Sequence, residues 1–68
     1  NPIETKSTLS PKELQVLTLL AEGLSYKMVA NQLGISYSTV NTHIKRIYEK
    51  LHISSLGEAI AYYYNNIK

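Results

Sequence analysis

The chain has 68 residues, no cysteine, seven lysines or arginines against five acidic residues, and 44% hydrophobic residues. That length holds one small domain with no disulfide or thiolate metal site to staple it, and the composition is too apolar for a disordered chain. No apolar run approaches the ~20 residues of a membrane-spanning helix and no signal-peptide pattern opens the chain, so membrane, collagenous and disulfide-scaffold classes are excluded.

Residues 1–8 are polar, contain Pro2 and show no periodicity, which predicts a linker from an upstream domain; a start at Asn1 rather than methionine fits a piece of a longer protein. Residues 9–68 then form the domain. Ser10-Pro11-Lys12-Glu13 opens a first helix over roughly 10–22. Ser10 can cap the third backbone N–H while Glu13 reaches back, and Pro11 stands where its missing donor costs nothing. Leu9 and Leu14 have staple spacing; Leu14, Leu17, Leu20, Ala21 and Leu24 are expected to face inward, and Gly23 to end the helix.

Ser25 is expected to cap a shorter second helix with Val29, Ala30 and Leu33 inward. Gly34-Ile35-Ser36 is the short glycine-containing link of a helix-turn-helix, and Ser36 caps a third helix over 37–51. On a wheel of ~100° per residue with Val40 at zero, Ile44, Ile47 and Leu51 lie within about 40° of it and form an inward ridge. Ser38, Asn41, Thr42, Lys45 and Glu49 occupy the far side, with Thr39, Arg46 and Lys50 on one flank and Tyr37 and Tyr48 on the other. A fourth helix starts at Ser55, with Glu58 placed for a second capping box. Leu56, Ile60, Tyr63, Tyr64 and Ile67 are its expected inward stripe, leaving Ala61 and Tyr62 outward. The predicted class is all-α, a compact four-helix domain containing a helix-turn-helix.

The chemistry is narrow. All five acids are glutamates, so no phospho-accepting aspartate is present, and His43 and His52 are nine apart rather than the i, i+4 of a helical metal pair. No Gly-rich phosphate loop or Gly-x-Ser-x-Gly turn appears. Neither an enzyme, nor a metal, nor a cofactor, nor a small-molecule ligand is expected. Charge is uneven instead: between Gly23 and Ser55, Lys27, Lys45, Arg46 and Lys50 stand against Glu49 alone, while the rest of the chain is slightly acidic. A localised basic stretch attracts polyanions. The short polar groups on the third helix let its backbone approach base edges, and asparagine can pair bidentately with adenine. A merely solvated helix face explains the same pattern.

One series of residues goes further. Leu9-Ser10-Pro11-Lys12-Glu13, Leu17, Ala21-Glu22-Gly23-Leu24-Ser25, Ala30, Leu33-Gly34-Ile35-Ser36, Thr39-Val40, His43-Ile44, Ile47-Tyr48-Glu49-Lys50-Leu51 and Glu58-Ala59 occur in order and at family spacing. Together they resemble the LuxR-type DNA-binding domain, the output module of NarL/FixJ-type response regulators and quorum-sensing receptors. The resemblance covers about Thr8 to Tyr64.

It implies a cytoplasmic transcriptional regulator that binds double-stranded DNA as a dimer, with the third helix in the major groove and RNA polymerase as a further partner. By position, Asn41, Thr42 and Lys45 match base contacts, and Ser25, Tyr26, Lys27, Ser36, Ser38, Thr39 and Arg46 match phosphate contacts. The fourth helix often supplies the family's dimer contact, which points to Ala61 and Tyr62 here. The upstream domain is expected to be a receiver. Asn41 replaces a common lysine or arginine, Met28 a usual glutamate, His52 a frequent glycine and Leu56 a common arginine. A promoter-reading sigma-factor region shares the helix-turn-helix, but the capped fourth helix after Leu51 favours the LuxR type. A protein-interaction module that never touches DNA is the rival from another class.

Overall fold

The computed structural model describes residues 9–67, so the expected linker at 1–8 lies outside the described residues. Four α-helices follow in order, α1 (Pro11–Ala21), α2 (Tyr26–Leu33), α3 (Tyr37–Leu51) and α4 (Leu56–Tyr62), and a π-helical turn, Tyr63–Ile67, continues α4. No described residue is in a strand. The predicted class and the order of the helices hold.

Serines start all four helices. Ser10, Ser25, Ser36 and Ser55 each accept from the backbone N–H three residues on, satisfying one of the donors a helix start leaves open. At Ser10 the box is complete: Glu13 N–H donates to Ser10 Oγ at 3.1 Å and Ser10 N–H to Glu13 Oε1 at 3.0 Å. The second box is displaced by one residue. Glu58 Oε1 accepts from Ser54 N–H at 3.0 Å rather than from the Ser55 N–H.

Three helices also end alike. Gly23, Gly34 and His52 have φ of 102°, 69° and 58°, the left-handed turn that closes a helix. The next residue in each case, Leu24, Ile35 or Ile53, donates its N–H back to Leu19, Ala30 or Tyr48 and lays its apolar side chain on the core. His52 performs this turn with a Cβ, which costs about 1–2 kcal/mol relative to a relaxed backbone. His52→Gly is therefore expected to stabilise the domain by about 0.5–1 kcal/mol, the extra unfolded-chain entropy of glycine offsetting the rest. A urea melt checks this, and a lower midpoint would mean that the imidazole makes a compensating contact.

The core is Val16, Leu17, Leu20, Val29, Ala30, Val40, Ile44, Ile47 and Ala59. Helix α3 packs against α1, α2 and α4, so its buried ridge of Val40, Ile44 and Ile47 is the centre of the fold, with Leu51 half-buried at its end. Two expectations fail here. In α1 the inward stripe is Glu13, Val16, Leu17 and Leu20, whereas Leu14, expected inward, is 37% exposed. The stripe is rotated by one residue because a carboxylate takes the place the apolar pattern assigned to leucine. In α4 the buried residue is Ala59, with Leu56, Tyr62 and Tyr63 packed on the core, while Tyr64 and Ile67 are largely exposed. Tyr62 therefore does not point away from the core as expected.

The change to π geometry accounts for the exposure of Tyr64 and Ile67. It rotates the residues after Tyr62 relative to a continued α-helix, and Asn66 Nδ2 donates to the Tyr62 carbonyl at 3.2 Å. Tyr64 then lies across the end of α1, where its hydroxyl donates to the Ala21 carbonyl at 3.0 Å.

Candidate nucleic-acid interface

With the ridge of α3 turned inward, its opposite side is open to solvent. Ser38, Asn41, Thr42, Lys45 and Glu49 are all exposed, as the wheel requires. The Asn41 amide and the Lys45 ammonium form no side-chain hydrogen bond or ion pair among the described residues. Thr42 is partly engaged: its hydroxyl donates to the Ser38 carbonyl at 3.1 Å, leaving the oxygen lone pairs and the methyl group outward. The face thus offers an amide that both donates and accepts, a threonine and a cation, each able to meet a base edge in a major groove.

Around it lie the residues matched to phosphate contacts. Ser36 Oγ caps α3 by accepting from Thr39 N–H at 3.1 Å, and it also meets the Ser38 hydroxyl at 3.2 Å and the Thr39 hydroxyl at 2.9 Å. This hydroxyl cluster covers the N-terminus of α3, where the helix dipole favours an anion. Ser25 makes the equivalent cap on α2 at 3.2 Å from Met28 N–H, with Lys27 exposed beside it. With Met28 in place of an acid, no side chain reaches back to complete that cap. Arg46 is exposed on the far flank of α3.

Tyr26 is more deeply set than a surface phosphate ligand. It is half-buried against the core, and its ring meets that of Tyr37 edge to face at 5.9 Å between centroids. Desolvation, together with the hydrogen bond its hydroxyl donates to Tyr48, pushes the Tyr26 phenol up to about 12. The hydroxyl accordingly stays protonated at physiological pH. Tyr26, Tyr37 and Tyr48 form an aromatic brace between α2 and one flank of α3. The half-buried His43 flanks the other side of the ridge, with Nδ1 buried and without a hydrogen-bond partner among the described residues.

The structure corrects the charge count. Lys50, one of the four cations of the basic stretch, is turned onto α1, where its Nζ lies 2.8 Å from Glu13 Oε1. Glu13 is 2% exposed, so this is a buried carboxylate held by two donors, the Lys50 ammonium and the Ser10 N–H. Burial alone would push its carboxyl up; the Lys50 hydrogen bond and charge, the Ser10 N–H and the His43 charge outweigh it and hold the group below 4.5. Sequence reasoning missed this pair because its members are 37 residues apart and meet only once α1 lies on α3. The open cations near the reading face are Lys27, Lys45 and Arg46.

These features agree with a comparison of the sequence with protein families. The profile described as bacterial regulatory proteins, luxR family, matches residues 7–63, most of the chain. The chain belongs to the LuxR family. LuxR-family helix-turn-helix domains are DNA-binding modules of transcription regulators, and this chain carries that module. It is 43% identical over 51 residues to the nitrate/nitrite response regulator protein NarL of Escherichia coli K12, covering 75% of this chain and 24% of NarL. It is 41% identical over 54 residues to the HTH-type transcriptional regulator MalT of Vibrio campbellii, covering 79% of this chain and 6% of MalT. The MalT of Yersinia pestis matches over 54 residues at 39% identity. The LuxR-type chain thus spans about a quarter of NarL and a small fraction of MalT.

Proposed function

We infer that this domain binds a specific duplex DNA sequence with α3 lying in the major groove. Asn41, Thr42 and Lys45 read base edges, while Ser25, Lys27, Ser36, Ser38, Thr39 and Arg46 hold phosphates and supply most of the salt-dependent affinity, with Tyr26 bracing α2 against α3 beside them. The observation that carries this reading is the exposed strip of Asn41, Thr42 and Lys45 on a helix whose other side is the centre of the core. None of the three belongs to the buried core, and their groups suit base edges.

The domain acts as a dimer on paired half-sites spaced by about one helical turn, ~10 bp, or a multiple. Ala61, exposed on α4, lies on the proposed contact surface, and Tyr62 contributes only the part of its ring not packed on the core. The likeness to NarL, which is named a response regulator, supports an output role under a receiver domain; a cytoplasmic location and RNA polymerase as the downstream partner are part of the same proposal. No described helix is long and apolar enough to cross a membrane.

Lys45→Ala tests the reading. It is expected to weaken binding to a selected duplex by about 1–3 kcal/mol and to blur preference at one or two base pairs. Equal losses on selected and random duplexes would remove Lys45 from base reading. A binding constant that does not change with salt would favour the protein-interaction alternative.

A further inference from the structure

We propose that Glu49 is a specificity-determining residue of the reading face, a carboxylate that is satisfied only where a cytosine amino group meets it and that opposes binding elsewhere. The proposal rests on the DNA-binding reading above. Glu49 is exposed on the same strip as Ser38, Lys45 and Thr42, about 180° from Val40 on the wheel. It stands eight residues beyond Asn41, about 12 Å along the helix axis, a span comparable to the ~12 Å width of a major groove. A helix that places Asn41 and Lys45 against bases therefore carries Glu49 along the same groove.

Its carboxylate has no cation within ion-pair distance among the described residues, exposed Arg46 one turn earlier included. Lys45 precedes it by four residues, the less favourable order for a helical ion pair. Lys50, its neighbour in sequence, is engaged by Glu13 on the other side of α3. Among the described residues Glu49 forms no ion pair. The reading strip thus carries one cation and one anion, and gains no net attraction for a polyanion from its own charges.

An ionised carboxylate only accepts hydrogen bonds. In the major groove guanine presents two acceptors and thymine one acceptor with a methyl group, whereas cytosine presents the N4 amino donor. Against acceptor edges or phosphates Glu49 is desolvated without a partner; against cytosine N4 it is paired. Adenine also carries an amino donor at N6, but its N7 acceptor lies beside it and opposes the second carboxylate oxygen, so cytosine is the base that satisfies Glu49.

The test compares the wild-type chain with Glu49→Gln, Glu49→Ala and the control Glu58→Gln. Glu58→Gln makes the same change in net charge, and glutamine can still serve the cap at Ser54. Each protein is titrated by fluorescence anisotropy against a duplex selected from a randomised pool with the wild type and against a random duplex, at several salt concentrations. Both Glu49 variants are expected to bind the random duplex more tightly and to lower the selected-to-random affinity ratio by about fivefold or more, with loss of one cytosine preference when the selection is repeated. Glu58→Gln leaves the ratio unchanged. A ratio that moves no more in the Glu49 variants than in the control overturns the proposal while the DNA reading stands. A wild type with no salt-dependent affinity for any duplex overturns both.

Discussion

Replacing Glu13 with alanine should cost the domain about 2–4 kcal/mol, combining a lost helix cap with a broken buried ion pair. The total stability of a chain this long is only roughly 3–10 kcal/mol, so the loss removes a large share of it and should lower the melting temperature by many degrees. The loss falls short of the worst buried-pair cases because the Lys50 side chain is 34% exposed and can regain water. Glu13→Gln separates the two contributions. It retains a side chain able to accept from the Ser10 N–H and removes the charge, so about half the loss should remain.

Acid should act through the same group. The Glu13 carboxyl is held below 4.5 in the folded chain, so the unfolded chain binds its proton more readily. The stabilisation is complete above that ordinary value and is lost as pH falls through it toward the lowered folded value. Melting temperature measured from pH 7 to pH 3 should therefore drop more steeply for the wild type than for Glu13→Gln. Parallel curves would show that other carboxylates dominate.

Ile47→Ala is the second large effect. Ile47 is fully buried on the ridge of α3, which packs against three other helices. Truncation leaves a cavity at the centre of the fold and should cost about 2–5 kcal/mol, whereas Ile47→Val should cost about 0.5–1.5 kcal/mol. The functional signature differs from that of Lys45→Ala. Apparent DNA affinity should fall with the folded fraction while base preference is unchanged, measured by pairing denaturant melts with binding to single-base variants of one duplex. A shift in preference would mean that the ridge also sets the angle at which α3 presents its outer face.

Much of the fold was legible because its signals are local. Serine caps, glycine ends and the Val40-Ile44-Ile47 spacing each act within one or two turns, and each appears where the residues predict it. The outer face of α3 followed from the same spacing, since a helix with one buried ridge must expose the opposite side. What was not legible depends on distant partners. Glu13 was excluded from the core because glutamate is almost never buried unless paired, and its partner comes from the far end of α3. The three consecutive tyrosines of α4 allowed several inward stripes, and packing with Ala59 and the switch to π geometry chose another. His52 was recognised as an unusual helix end, and its left-handed backbone follows from that position.

Because the side chains of Asn41 and Lys45 form no hydrogen bond or ion pair among the described residues, the proposed base reading makes target preference and structural integrity separable properties of this chain. Replacement at these two exposed sites is expected to change stability by no more than about 0.5 kcal/mol, so on that reading new operators can be acquired through surface changes. A lineage carrying such a domain can therefore rewire which promoters it addresses in single steps, without passing through unstable intermediates.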